Sequence, residues 1–307
     1  MKILVTGGAG FIASHITDAY ISAGHEVVII DNMSTGKNEN INPKAKFIEL
    51  DINDPQISDI FKAEKFDVIN HHAAQMDVRV SVNDPKFDAH TNILGSLNLY
   101  EAAKDHGVKK IIFASSGGTV YGEQEEFPAK EEHPLRPVSP YGISKLSNEK
   151  YLYYYKEVYG IDYAVLRYAN VYGPRQNPHG EAGVVAIFAK RMLEGNKAII
   201  NGDGKNTRDY VFVDDVVKAN VLALNDEMTG EYNIGTGVES DVNYIFSALK
   251  ELTGSDCEEV HGEAKSGEQK RSVISFEKIY KQNGWKPTVK FKEGLDSTVE
   301  FFKGKMS

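Results

Sequence analysis

A short apolar run at residues 2–6 feeds directly into Gly7-Gly8-Ala9-Gly10, after which residues 11–23 have helical character and Gly24 stops them. A second apolar run follows at 26–30 and ends on Asp31. Strand, tight turn, helix and strand in that order make a βαβ unit. This unit constrains the chain more than any other feature, because parallel strands need crossover helices and those helices must cover the sheet. Further strand-like runs at 47–50, 67–70, 110–114 and 163–167, spaced by helix-length segments, extend the pattern to a doubly wound parallel α/β sheet over residues 1–168. Beyond Tyr168 the rhythm loosens, with 170–183 rich in Gly, Pro and Asn, so a smaller C-terminal lobe is expected over 169–307. Within it 214–224 reads as a helix, and a segment near 211–230 is expected to return to the first domain.

Composition removes several classes of function. With 307 residues, 41% hydrophobic and 26% charged, the chain is long enough for a large α/β domain with an added lobe. A net charge of −9 disfavours nucleic acid and anionic membranes as partners. Cys257, the single cysteine, has no internal disulfide partner, and no Cys/His spacing suggests a metal. Glycines interrupt the N-terminal apolar run before it reaches signal-peptide or membrane-spanning length. A cytoplasmic protein without a metal is the expectation. His71 and His72, adjacent at a strand end, point to opposite sides and suit core or strand-end roles, while Tyr151, Tyr153, Tyr154 and Tyr155 suit helix packing.

Gly7, Gly10 and Ala13 stand three apart where strand meets helix, and small residues there let the backbone approach a pyrophosphate seated on the helix N-terminus. A purely structural turn has the same pattern. Asp31 weighs toward the nucleotide: after the second strand its carboxylate can accept both adenosine ribose hydroxyls and would repel a 2′-phosphate, so NAD is expected over NADP. Asp51 and Ile52, after the third strand, fit the border of the adenine, and Ala73 and Ala74, after the fourth, leave room for backbone contact. Turn or packing duties fit these four equally.

Ser139-Pro140 is a helix start with Ser as cap and Pro in the first turn, so Tyr141 and Lys145 stand one turn apart on one face. A phenol ionises near ~10 in water, and a base working near neutrality needs a shift of ~3 units, roughly 4 kcal/mol. Lys145 and a nicotinamide cation both push that way. A surface Tyr and Lys on an amphipathic helix is the alternative, and the glycine turn with Asp31 disfavours it.

Several motifs now agree in order and spacing: Thr6-Gly7-Gly8-Ala9-Gly10-Phe11-Ile12, Ala114-Ser115-Ser116-Gly117-Gly118-Thr119-Val120-Tyr121-Gly122, Tyr141 with Lys145, and Leu166-Arg167-Tyr168-Ala169-Asn170-Val171-Tyr172-Gly173-Pro174. Over nearly its whole length the chain resembles the extended short-chain dehydrogenase/reductases, and within them the nucleotide-sugar 4-epimerases. The resemblance implies a Rossmann-type sheet holding NAD tightly, a C-terminal lobe that covers a UDP-sugar, and a homodimer formed through the helix after Pro140 and the segment 92–104. It carries Phe11, Ile12, Asn32 and Asn92 into the cofactor's surroundings. It implies a third catalytic hydroxyl from Ser116, with Thr119 as the alternative because the two glycines lengthen the loop. Related 4,6-dehydratases place an Asp-Glu pair before Val-Tyr-Gly, where this chain has Gly118-Thr119, so elimination of water lacks its catalysts. Epimerisation needs no further acid or base: Tyr141 takes the 4-hydroxyl proton while NAD takes the hydride, and the resulting 4-keto sugar turns over and receives the hydride back on its other face.

On the substrate side the resemblance assigns Asn170 to the sugar nucleotide, Arg208 to its diphosphate, Lys265 to a place where relatives often carry a second phosphate-binding Arg, and Val184 to the nucleoside pocket. Counted from Gly267-Glu268, Ser272 falls where a bulky Tyr in some relatives excludes N-acetyl sugars. UDP-GlcNAc and UDP-GalNAc are therefore the expected pair, with UDP-glucose and UDP-galactose beside them. A UDP-glucose epimerase without N-acetyl activity, a UDP-uronate epimerase and a catalytically silent NAD sensor are the alternatives.

Overall fold

The computed structural model describes residues 1–179, 183–264 and 269–306. The chain opens with β1 (Lys2–Thr6), α1 (Phe11–Ser22), β2 (Glu26–Asp31), β3 (Lys46–Glu49), α2 (Ile57–Glu64) and β4 (Val68–His71). Two short helices, α3 (Val78–Asn83) and α4 (Pro85–Ala89), lead through a π-helical turn (His90–Leu94) into α5 (Gly95–Asp105), β5 (Lys110–Ser116), α6 (Pro140–Tyr159) and β6 (Asp162–Tyr168). Next come β7 (Asn170–Tyr172), α7 (Val184–Leu193), β8 (Ile199–Asn201), β9 (Thr207–Phe212), α8 (Val213–Leu222) and β10 (Gly230–Ile234). The chain ends through β11 (Glu239–Asp241), α9 (Val242–Thr253), β12 (Val260–Gly262), β13 (Arg271–Ser272), α10 (Glu277–Asn283) and α11 (Phe291–Met306).

Two compact units result. The first comprises residues 1–122, 134–167 and 217–232. Its sheet has the order β3-β2-β1-β4-β5-β6-β10, with β3, β2, β1, β4 and β5 paired in parallel. Ile3, Leu4 and Val5 of β1 and Val28, Ile29 and Ile30 of β2 are fully buried. A continuous apolar run buried on both faces is what a parallel strand between helices requires, and each such side chain contributes roughly 1.5–3 kcal/mol. Lys110, buried at the start of β5, donates to the carbonyls of Asn225 and Met228 at 2.5 and 2.8 Å, which ties the returning segment to the sheet.

The second unit comprises 123–133, 168–216 and the chain from 233. Its sheet is built around β9, antiparallel to β11 and parallel to β13 and β7. Residues 123–133, inside the stretch expected in the first domain, group here because Ala129 exchanges backbone hydrogen bonds with Val273 and Ser275 and Gln124 Oε1 accepts from Val273 N. The tyrosine-rich stretch of α6 divides: Tyr155 is buried, whereas Tyr151, Tyr153 and Tyr154 are exposed, Tyr154 with its ring edge-on to those of Tyr155 and Tyr159. No described helix is long and apolar enough to cross a membrane.

Candidate active site

Where β1 meets α1, Gly7 adopts φ +70, and a Cβ there would lie 2.8 Å from Ala73 N and 3.0 Å from Ala73 Cα. Only glycine lets the turn and the loop after β4 approach so closely. Gly10 caps α1 in an extended conformation and, having no side chain, makes no cap hydrogen bond to the first amides of α1 beside Phe11 and Ile12. Ala13 is buried inside the first turn of α1. Asp31 is 7% exposed, and its carboxylate accepts from Ala9 N at 3.0 Å and Met33 N at 2.9 Å. Two amides fix the carboxylate at the end of β2 while each oxygen keeps accepting capacity. Uncapped amides, a glycine cradle that a Cβ would fill and a fixed carboxylate form a set that fits a dinucleotide.

Asn32 donates to Asp51 Oδ2 at 2.7 Å, and Asn53 N donates to Asp51 Oδ1 at 2.8 Å. Burial pushes the Asp51 carboxyl up, but these hydrogen bonds outweigh it and hold the pKa below the usual value. Ile52 is buried against Gly95, where a Cβ would come within 2.7 Å of its side chain. Ala73 and Ala74 follow β4 in the loop that closes on Gly7. Asn92, 3% exposed in the π-turn, accepts from Gln75 N and donates to Gln75 O, both at 2.8 Å, and donates to Asp88 at 2.9 Å. Its two donors are spent on protein atoms, so it acts on the loop after β4.

The cap of α6 forms as its sequence predicts, with Ser139 Oγ accepting from Gly142 N at 3.1 Å and Pro140 in the first turn. Lys145, 4% exposed, donates to Ala114 O at 2.8 Å. Its ammonium lies 4.8 Å from the Phe113 ring centre and 5.6 Å from that of Tyr141. Burial pulls the Lys145 pKa down to about 8, and the negative charges of Asp88 and Glu149 resist the fall. The group is therefore mostly cationic at neutral pH.

That cation shapes its neighbours. Burial first, then the Lys145 charge, pushes His72 down to about 3 and His71 well below its usual range. His71 is held by the hydroxyls of Thr6 at 2.7 Å and Ser96 at 2.9 Å, a core role. Among the described residues no cluster of His, Cys, Asp or Glu could hold a metal ion. Ser116 ends β5, and its hydroxyl makes no hydrogen bond to a described residue. Thr119 donates to Ser116 O only at 3.5 Å.

In the second unit, β9 aligns Arg208 with Ser272 of β13 and Tyr210 with Asn170 of β7. Register partners and alternate residues along a strand share a face, so Arg208, Ser272 and Asn170 project to the same side of this sheet. The Arg208 guanidinium donates to Thr207 O at 2.8 Å, and no described carboxylate pairs with it. Ser272 is 4% exposed. Val184 begins α7. Lys265 lies outside the described residues.

Sequence reasoning missed the buried charges that surround Lys145. Glu149, 1% exposed, accepts from Arg167 Nε at 3.1 Å and Arg167 Nη2 at 2.7 Å and from Ser115 Oγ at 2.6 Å. Positions 141, 145 and 149 follow the four-residue period of one helix face, which is a signal for Glu149. Asp88 on α4 accepts from Ser144 Oγ at 2.6 Å, and its spacing of four from Asn92 is the only trace of it in the sequence.

Residues 3–235 match the NAD dependent epimerase/dehydratase family. Among solved structures the chain is similar to the UDP-glucose 4-epimerase of Thermotoga maritima with UDP-glucose, at 49% identity and TM-score 0.98 over all of both chains. The Thermus thermophilus UDP-glucose 4-epimerase complexed with NAD follows at 45% identity and TM-score 0.95, over 99% of each chain. The UDP-N-acetylglucosamine 4-epimerase of Methanobrevibacter ruminantium, in complex with UDP-N-acetylmuramic acid, has 37% identity and TM-score 0.94 over 99% of each.

Proposed function

The chain belongs to the NAD-dependent epimerase/dehydratase family and is a UDP-sugar 4-epimerase, and from that premise we propose that it interconverts UDP-GlcNAc and UDP-GalNAc as well as UDP-glucose and UDP-galactose. The observation that carries the N-acetyl reading is Ser272, a small side chain in register with Arg208. Where an arginine grips the diphosphate, a small neighbour leaves space for a bulky substituent on the sugar. The Methanobrevibacter relative, named for UDP-N-acetylglucosamine, supports the same reading.

NAD would be held by the backbone of Gly7, Gly10, Phe11 and Ile12, by Asp31 with Asn32 at the ribose, and along Asp51, Ile52, Ala73 and Ala74. When bound it supplies the redox chemistry, accepting the C4 hydrogen with its electron pair and returning it. Tyr141 takes the proton of the 4-hydroxyl and gives it back, and the neighbouring Lys145 cation favours its phenolate. Ser116, whose hydroxyl is unspent within the described chain, hydrogen-bonds the reacting oxygen in preference to Thr119. Arg208, free of any described acidic partner, presents its fork to the diphosphate, with Asn170 and Val184 on the rest of the nucleotide sugar. Ile143, Tyr151, Tyr154 and Val158 form an exposed apolar stripe on α6, and a homodimer would cover it.

Proton NMR of the enzyme with UDP-GlcNAc and UDP-glucose, separately, tests the reading through the anomeric signals of the 4-epimers. Appearance of both supports it, and UDP-galactose alone overturns the N-acetyl part. Ser272→Tyr is expected to abolish UDP-GlcNAc turnover while retaining UDP-glucose turnover. Equal loss of both would remove Ser272 from substrate choice.

A further inference from the structure

Asp88 is fully buried, yet nothing in the assigned chemistry uses it. Its carboxylate accepts from Ser144 Oγ at 2.6 Å, from Asn92 Nδ2 at 2.9 Å and from Gln75 Nε2 at 3.1 Å. Those donors sit on α6 directly before Lys145, in the π-turn, and in the loop after β4 that closes on Gly7. One side chain therefore joins three segments that border the reacting groups. A π-turn inserted in a helix is itself a frequent mark of a functional position.

All three donors are neutral, and no described Lys, Arg or His forms an ion pair with Asp88. Glu149, the other acid facing Lys145, is already engaged by Arg167. From the elements packed on α4, Arg79 is solvent-exposed and paired with Asp77, and Lys86 and His90 are exposed. Among the described residues the titratable groups around Lys145 include Tyr141 and Glu149 on α6, His71 at the end of β4, His72 just after it, and Arg167 behind Glu149. Both histidines are neutral. A buried cation whose burial opposes its charge then faces one anion already matched by an arginine and one that is not.

We propose that Asp88 is a positioning residue of the epimerase site, the charge partner that keeps Lys145 protonated and the anchor that holds α6, the π-turn and the loop after β4 in one arrangement. This rests on the assignment of Tyr141 and Lys145 as the proton-handling pair. Removing the anion makes both groups release protons more readily, so both ionisations move to lower pH.

The test compares Asp88→Asn, which removes the charge, with Ser144→Ala, which removes a hydrogen bond and leaves the charge. Tyr141 ionisation is read as the 295 nm absorbance difference between each protein and its Tyr141→Phe counterpart, and the pH profile of kcat/KM with UDP-glucose is measured beside it. In Asp88→Asn the phenol midpoint and the alkaline limb should both fall by on the order of one pH unit. In Ser144→Ala kcat should fall with both midpoints in place. Asp88→Ser serves should the amide variant not fold, and Asp88→Glu should restore the wild-type midpoint. Unmoved midpoints in the neutral variants, or an equal shift in Ser144→Ala, overturn the role of Asp88. Full turnover by Tyr141→Phe would instead sink the pair itself, so the two failures are distinguishable.

Discussion

The Lys145 cation imposes a stability cost that can be measured as a function of pH. Its pKa falls from 10.5 to about 8 because burial outweighs the attraction of Asp88 and Glu149. That is a shift of about 2.5 units, and at about 1.4 kcal/mol per unit the buried charge costs about 3 kcal/mol. The unfolded chain holds this proton up to about 10.5, whereas the folded chain releases it near 8. Between those values the unfolded state binds more protons, so stability rises with pH. The cost is fully present below about 8 and absent above about 10.5. Lys145→Met keeps the length of the stem and removes the titration. Urea midpoints by far-UV circular dichroism, taken on both proteins from pH 7 to 10.5 without added nucleotide, give the difference. The wild type should gain about 3 kcal/mol relative to Lys145→Met across that window, while the variant is inactive throughout. Parallel curves would refute the claim that the ammonium is buried at a cost, and with it the account of how the site stores a cation beside the phenol.

Three further outcomes are expected. Gly7→Ala, forced to φ +70 and 2.8 Å from Ala73 N, should lose about 1–2 kcal/mol of stability and most of its co-purifying NAD, read by release and chromatography of the nucleotide. Glu149→Gln leaves the 3%-exposed Arg167 without its anion and should cost about 3–5 kcal/mol in urea unfolding, whereas a solvent-screened pair would cost less than about 1 kcal/mol. Arg208→Leu should raise KM for UDP-glucose by roughly 10- to 100-fold with a small change in kcat, since a charge-assisted hydrogen bond to phosphate contributes about 1.5–3 kcal/mol.

Elements with local signals were legible in the sequence. The run Ile3-Leu4-Val5 just before Thr6-Gly7 announces β1, and Ser139-Pro140 announces the start of α6 to the residue, because strand runs and caps are encoded within a few positions. Long-range pairing left no such trace. Nothing near Ala129 indicates that it bonds Val273 and Ser275 more than 140 residues later, so the membership of 123–133 in the second unit could not be read. The register of Ser272 against Arg208 is equally non-local, although counting from Gly267-Glu268 singles out the serine. Asp88 escaped notice because an acid on a short helix looks solvent-exposed until its three donors, from segments 13 residues before it to 56 after, converge on it.

In the proposed reaction C4 is inverted by oxidation and reduction, with Tyr141 moving only the hydroxyl proton. Epimerisation of UDP-glucose in D2O, followed by proton NMR, tests it most directly. UDP-galactose that retains protium at C4 is the predicted result, because the C4 hydrogen never passes to water. Deuterium at C4 would mean that a base removes that hydrogen and would contradict the account, as would the absence of any epimer.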